Sequence, residues 1–155
     1  MLHELTQCAG GAMKLIGTGI FLTLYLSVTG AMAQTTGLLP ETKNSNGLMY
    51  MTGGIGSEES EAMQELGKKW PLLIEFSQDH PQRALWISDV QIKLSKKASK
   101  TPLLEIITEG PILLIDLPAG EYTLDANFEG RPLKRNFKIE AAKANRLNLM
   151  WPVVK

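Results

Sequence analysis

The chain has 155 residues, and its 16 basic and 16 acidic side chains give a formal net charge of zero. This balance gives no electrostatic sign of a nucleic-acid partner or of binding to a charged membrane surface. With one cysteine in the chain, a disulfide within it is excluded.

Residues 15–33 form the one long apolar run of the sequence, and Lys14 precedes it. The small residues Ala31 and Ala33 at its end fit the narrow site of a signal peptidase. We therefore predict a secretory signal peptide over residues 1–33 and a periplasmic or secreted protein with no membrane anchor after cleavage. A retained transmembrane anchor is the alternative, and the glycines within the run and the missing basic stop-transfer cluster disfavour it.

Residues 1–12 make the segment before the apolar run of this signal unusually long. Met13, followed by Lys14, would itself be a normal start, so we interpret residues 1–12 as an extension from an upstream start codon. They contain Cys8, the single cysteine. The predicted mature protein therefore has to fold without disulfides in an oxidising compartment.

A polar segment and one helix follow the predicted cleavage site. Residues 34–46 show no hydrophobic period and are predicted to be a disordered leader before a β-sandwich domain over residues 47–155. Residues 48–52 have the pattern of a short strand. A glycine-rich turn then leads to a helix of about three turns, which Ser57 is expected to cap and Gly67 to end.

The rest of the chain has the patterns of short strands. In residues 84–94 the apolar positions change phase at Ser88-Asp89, which indicates a β-bulge. Residues 102–108 and 112–117 are apolar at alternate and at adjacent positions alike, so we expect these strands to be covered on both faces in places. About seven short strands at roughly ten-residue spacing are typical of a β-sandwich.

Residues 117–139 encode a β-hairpin with one buried face, because apolar and polar residues alternate along residues 121–129. Gly130-Arg131 fits a two-residue turn with glycine first. The register that this turn predicts pairs Phe128 with Leu133, Leu124 with Phe137, and Tyr122 with Ile139. Arg135 would lie on the apolar face, and we expect its guanidinium to reach solvent at the rim of the sheet.

These strands and turns carry a family resemblance. VQIKLS at residues 90–95 and ILLIDLPAGEYTLDANFEG at residues 112–130, closed by FKIE, are similar to the carboxypeptidase regulatory-like domain. That family typically has a V-x-V strand, a T-D-x-x-G-type turn and an L-P-x-G-x-Y-x-V-x-V strand. Glu109 stands where the family turn has aspartate. The matching residues are Thr108, Gly110, Leu117, Pro118, Gly120, Tyr122, Leu124 and Gly130.

The resemblance covers about residues 48–151. It implies a transthyretin-like (prealbumin-like) seven-strand Greek-key β-sandwich, here with one short helix inserted after the first strand. The chain as a whole resembles small secreted bacterial proteins of unknown function that carry this domain. Because the motif consists mostly of turn residues, it predicts fold and almost nothing about activity. Structural roles are therefore expected for Leu117, Pro118, Gly120, Tyr122 and Gly130.

The predicted mature chain lacks the residues of common catalytic centres. Its one histidine, His80, lies in a polar loop with Asp79 as the only acidic neighbour, which favours a solvated residue over a metal ligand. Cysteine-nucleophile, zinc-hydrolase and Ser-His-Asp sites are excluded by this inventory. We predict no enzyme, no metal and no cofactor, with a carboxylate-pair hydrolase as the one exception left open.

Trp86, Trp70 and His80 are the candidates for contact with a ligand or partner. Trp86 is out of phase with its apolar neighbours, so the sequence leaves open whether its indole is buried or exposed. Trp70 is expected to pack where the helix meets the next strand. Trp151 is expected in the core.

These observations predict a secreted, non-catalytic β-sandwich module. The first hypothesis is a protein-interaction or structural role in the cell envelope, through a sheet face or an exposed edge strand. The second is a carbohydrate-binding module in which Trp86 or Trp70 stacks on a sugar ring. The sequence does not specify an oligomeric state.

Overall fold

The structure is a computed structural model, and it describes residues 38–153 of the chain. The predicted signal peptide over residues 1–33, with its extension over residues 1–12, lies outside the described residues, as does the start of the predicted leader. Among residues 38–153 there is no helix that is long and apolar enough to cross a membrane.

Two sheets make up most of the described residues. The first has the strand order β1-β2-β7-β3-β10, with β4 also paired with β3, and the second has the order β6-β5-β8-β9. All paired strands are antiparallel except β3 and β10, which are parallel. The elements are β1 (Lys43–Ser45), β2 (Leu48–Gly53), α1 (Ser57–Gly67), β3 (Leu72–Gln78), β4 (Leu85–Trp86), β5 (Gln91–Lys96), β6 (Pro102–Ile107), β7 (Ile112–Ile115), β8 (Gly120–Phe128), β9 (Arg131–Ile139) and β10 (Asn145–Trp151).

The main core lies between the two sheets. Phe76 of β3 and Leu94 of β5 are fully buried in it, together with Trp151 of β10. The indole nitrogen of Trp151 donates a hydrogen bond to the carbonyl of Arg131 at 2.8 Å, so its one polar group is satisfied. The prediction of a mainly β fold is confirmed, and so is the core position of Trp151.

Helix α1 packs on the outer face of the first sheet and forms a second apolar cluster. Met63 of the helix is fully buried there, against Met51, Leu73, Ile112 and Leu114. Fully burying a methionine contributes about 1.5–3 kcal/mol. This cluster is what holds the short helix to the sheet.

Strand β7 is covered on both faces, as the sequence predicts for residues 112–117. Leu113 belongs to the main core, whereas Ile112 faces the helix cluster. Strand β6 is covered on one face: Leu104 is buried in the main core, whereas Ile107 is exposed. Ile107 pairs with Gln91 on the outer face of the second sheet, which the helix does not cover.

The described part of the predicted leader is not wholly irregular. Lys43–Ser45 form strand β1, which pairs with β2, so the prediction of disorder over residues 34–46 is wrong at its end. Asn46 and Gly47 have φ angles of 53° and 82°, the pair of positive values that a tight hairpin turn requires. The side chain of Lys43 pairs with Glu109, and this hydrogen bond raises the pKa of Lys43.

The start and end of α1 differ from the predictions. The helix has Gly56 as its N-cap, with no side-chain cap, so Ser57 is the first helical residue rather than the cap. A carboxylate oxygen of Glu59 instead accepts hydrogen bonds from the backbone amides of Gly54 and Ile55. Gly67 does end the helix, although its role is close packing: a Cβ there would lie 2.2 Å from Leu73 Cδ1.

The phase change at Ser88-Asp89 marks a change of sheet and not a β-bulge. Residues 85–86 form β4 of the first sheet, whereas residues 91–96 form β5 of the second. Asp89, with a φ of 59°, lies between them. With this split and the extra strand β1, ten strands are described rather than about seven, and the helix follows the second strand rather than the first.

The hairpin of β8 and β9 is confirmed, but its predicted register is wrong. The turn residues are Glu129 and Gly130, with φ angles of 50° and 77°, as in a type I′ turn. The observed apolar-face pairs are Phe128 with Arg131, Ala126 with Leu133, Leu124 with Arg135, Tyr122 with Phe137, and Gly120 with Ile139. Each partner moves by two residues, so every side chain keeps its predicted face. Arg135 reaches solvent, as predicted.

The residues of the family-like motif have structural roles. Leu117 and Tyr122 are buried in the main core, and the Tyr122 hydroxyl donates a hydrogen bond to the Pro118 carbonyl at 2.7 Å. Gly120 lies under the Tyr122 ring, where a Cβ would approach the ring to 3.5 Å. Gly130 supplies the second positive φ of the turn.

Candidate binding surface on the six-stranded sheet

The structure does not bring Trp70, His80 and Trp86 into one site. Trp70 precedes β3 and packs against the helix cluster, as predicted. Trp86 pairs with Ser77 near the other end of β3, so about seven residues of extended chain, roughly 20 Å, separate the two indoles along the strand. His80 lies in the exposed loop between β3 and β4.

Trp86 belongs to a row of three side chains that crosses three strands. Ser77 of β3 pairs with Trp86 of β4 on one side and with Met150 of β10 on the other. Side chains of directly paired residues point to the same face and lie about 5 Å apart. Trp86 is 48% exposed and Met150 is 49% exposed, whereas Ser77 between them is buried. We call these three residues the Trp-Met surface.

The Trp-Met surface lies on the part of the outer sheet face that is left open by the helix. Ser77 has the same parity along β3 as Leu73, whose side chain packs in the helix cluster. The cluster takes its strand residues from β2, β3 and β7, and none from β4 or β10. Helix α1 thus covers the start of β3 on this face, whereas Trp86 and Met150 are exposed near the end of β3.

A fixed ion pair borders the Trp-Met surface. Glu75 of β3, which pairs with Asn148, accepts a hydrogen bond from Arg146 Nε at 3.0 Å and a second one from Arg146 Nη2. Two parallel hydrogen bonds hold the guanidinium in one orientation. The carboxylate of Glu75 raises the pKa of Arg146. The surface therefore presents two exposed apolar side chains beside an ordered polar margin.

The described residues show no arrangement that indicates catalysis. In residues 38–153 no group of three His, Cys, Asp or Glu side chains is placed to hold a metal ion. Nδ1 of His80 accepts a 3.5 Å hydrogen bond from the backbone amide of Gln82, a contact within its own loop. The buried polar residues of this part of the chain are Thr52, Ser60, Ser77 and Thr108, and none is a carboxylate.

The sequence pattern indicates Trp86 as a candidate but does not indicate the residues that lie near it on the sheet. The alternation of β10 does place Met150 out of phase with Leu149 and Trp151, which is a sign of exposure. Its position across Ser77 from Trp86 depends on the parallel pairing of β10 with β3, which no local pattern indicates. Comparisons with known proteins returned no matching family model and no matching curated protein.

Proposed function

We propose that this protein is a secreted, non-catalytic β-sandwich module of the cell envelope that binds another protein through the Trp-Met surface. The observation that carries the proposal is the pair of half-exposed side chains, Trp86 and Met150, on either side of a buried serine. Tryptophan and methionine are enriched in protein interfaces, and a single tryptophan often contributes much of the binding energy. Methionine adds a flexible apolar contact that adapts to its partner.

For the fold, we propose the transthyretin-like sandwich of the carboxypeptidase regulatory-like family. Strands β3 and β5 to β10 are seven in number, and β1, β2 and β4 would then be additions to the first sheet. After β6 the chain forms β7 in the first sheet and returns as β8 beside β5. Such crossings between sheets are typical of Greek-key sandwiches. Secretion is supported by the apolar run at residues 15–33.

A photo-cross-linking amino acid placed at residue 86 tests the protein-binding role in the native envelope. We expect one discrete cross-linked partner. The matched control is the same amino acid at Leu85, which is the next residue on β4, is also exposed, and points to the opposite face. With the purified partner, Trp86→Ala should weaken binding at least about tenfold, and Leu85→Ala should leave the affinity unchanged. Equal cross-linking from both positions would contradict the proposal.

The second candidate is a carbohydrate-binding module that uses the same indole. Asn148 and the Glu75–Arg146 pair, which border the Trp-Met surface, favour it, because sugar rings combine an apolar face with hydroxyl groups. Titration of tryptophan emission with cell-wall and plant oligosaccharides distinguishes the two. An emission change that disappears in Trp86→Ala would favour the glycan, and unchanged emission with every oligosaccharide would exclude it from this surface.

A further inference from the structure

One edge of β10 is paired with β3, and the other is free. The amide of Asn145 donates to the carbonyl of Pro71 at 2.9 Å, and the carbonyl of Trp151 accepts from the amide of Asp79 at 2.8 Å, so both ends of β10 bond toward β3. Successive residues of a strand direct their backbone groups to opposite sides. The backbone groups that face the free edge therefore belong to three exposed residues, Arg146, Asn148 and Met150.

The other edge strands carry features that prevent pairing with another chain. Short length, proline and charged side chains are the usual means. Strands β1 and β4 have three and two residues, and β9 carries a proline and several basic side chains. Strand β6 starts with a proline and has Glu105 near its middle. By contrast, β10 has seven residues, contains no proline, and its one charged side chain, Arg146, is neutralised by Glu75.

The sequence of β10 is self-complementary when two copies lie antiparallel with Asn148 at the centre. Asn148 then lies opposite Asn148 of the second copy, and each side-chain amide can donate to the other and accept from it. Arg146 lies opposite Met150, so no like charges meet. On the inner face Leu147 lies opposite Leu149, and both of these side chains already pack in the main core. This register gives a partner to every backbone group that faces the free edge.

This pairing also adds a residue to the Trp-Met surface. Directly opposite residues lie about 5 Å apart on the same face. Arg146 of the second copy therefore continues the row of Trp86, Ser77 and Met150. The two-fold axis of an antiparallel pair is perpendicular to the sheet, so the Trp-Met surfaces of both copies lie on one continuous face.

We propose that this protein forms a symmetric dimer in which two β10 strands pair antiparallel about Asn148, so that the first sheets of the two copies become one sheet. One pair of strands is a small contact beside the roughly 1,200–2,000 Å² that stable interfaces bury. The dimer is therefore reversible, with a Kd on the order of 10 μM. It does not depend on the protein-binding role proposed above.

Analytical ultracentrifugation of the protein, produced from the full-length gene, tests the dimer between about 1 μM and 1 mM. We expect a monomer–dimer equilibrium. Asn148→Asp places two carboxylates opposite each other and should weaken the dimer at least about tenfold at neutral pH. Asn44→Asp, the same change at an exposed position of the edge strand β1, is the control and should leave the equilibrium unchanged. Circular dichroism should show that both variants are folded.

Engineered cysteines test the register of the dimer. In a Cys8→Ser background, Asn148→Cys should form a disulfide between the two copies on mild oxidation, because its Cα atoms would lie about 5.5 Å apart. Met150→Cys is the control. It would lie four residues along the strands from Met150→Cys of the second copy, a distance of about 13 Å, and should form no disulfide. Electrophoresis without reductant measures both.

Three results would overturn the proposal. The first is a monomer at about 1 mM, which would leave the edge of β10 to a strand of another protein. The second is a dimer of equal strength in the wild type and in Asn148→Asp, and the third is a disulfide from Met150→Cys alone. Trp86→Ala should dimerise as the wild type does, so failure of the protein-binding role and failure of the dimer can be told apart.

Discussion

Tyr122 links the turn before β8 to the strand itself. Its ring is buried and stacks on Phe137 with centroids 5.7 Å apart, while its hydroxyl donates to the Pro118 carbonyl. Burial disfavours the charged phenolate and raises the pKa of Tyr122 above its ordinary value of 10.0. The protonated hydroxyl is therefore part of the folded state.

Tyr122→Phe should lower the free energy of unfolding near neutral pH by about 1 kcal/mol, because one buried hydrogen bond is lost. As the pH rises past the ordinary tyrosine pKa, unfolded Tyr122 loses its proton before folded Tyr122 does. The wild type should thus lose stability above a pH of about 10 through this group, and the variant should not. Urea unfolding between neutral and alkaline pH measures the difference between the two proteins. A difference that stays constant would contradict the assignment.

At the scale of the element, the β8–β9 hairpin shows what alternation specifies. Alternation determines which side chains share a face, and two registers that differ by two residues satisfy it equally. The turn decides between them. Glu129 and Gly130 both take positive φ angles, and the resulting register pairs Lys134 with Asp125 and bonds Thr123 to Asn136 at 2.8 Å.

A pair of engineered cysteines tests this register. In a Cys8→Ser background, Thr123→Cys with Asn136→Cys should form a disulfide on mild oxidation, because directly opposite residues have Cα atoms about 4.5–5.5 Å apart. Thr123→Cys with Lys138→Cys is the control, since these positions are opposite only in the register that the sequence predicted and are otherwise about 7–8 Å apart. Thiol titration reports both. A disulfide in the control alone would mean that the observed register is wrong.

At the scale of the whole molecule, the two apolar clusters share strands. Leu73 of β3 packs in the helix cluster, while Ile74 packs in the main core, and Ile112 and Leu113 of β7 divide in the same way. Any change in the position of β3 or β7 therefore alters the packing on both faces of the first sheet. The helix is part of the same folding unit as the sandwich.

Met63→Ala should destabilise the whole described domain by about 2–5 kcal/mol, through the cavity it leaves under the helix. Because the clusters share β3 and β7, circular dichroism and tryptophan fluorescence should show one coincident unfolding transition. Glu61→Ala, an exposed change on the same helix, should alter the free energy of unfolding by no more than about 0.5 kcal/mol. Loss of helical signal before an unchanged tryptophan transition would contradict this coupling.

Local pattern in the sequence determined the strands, most of their faces and the structural role of the LPAGEY turn. Alternation predicted that Trp151 is buried and that Arg135 reaches solvent, because the face of a strand residue depends only on its immediate neighbours. The same information placed the hairpin of β8 and β9. It also supplied Trp86 as a candidate without deciding whether its indole is exposed.

Tertiary structure alone decided which strands lie side by side, and with them the Trp-Met surface. Trp86 and Met150 flank Ser77 only because β4 and β10 both pair with β3, and β10 does so in parallel from a distant part of the chain. The sequence pattern also could not show that residues 84–94 are divided between the two sheets, because a β-bulge and a chain that passes from one sheet to the other give the same phase change. Period-two patterns specify faces, whereas pairing partners distant in the chain are selected by the packing of the whole molecule.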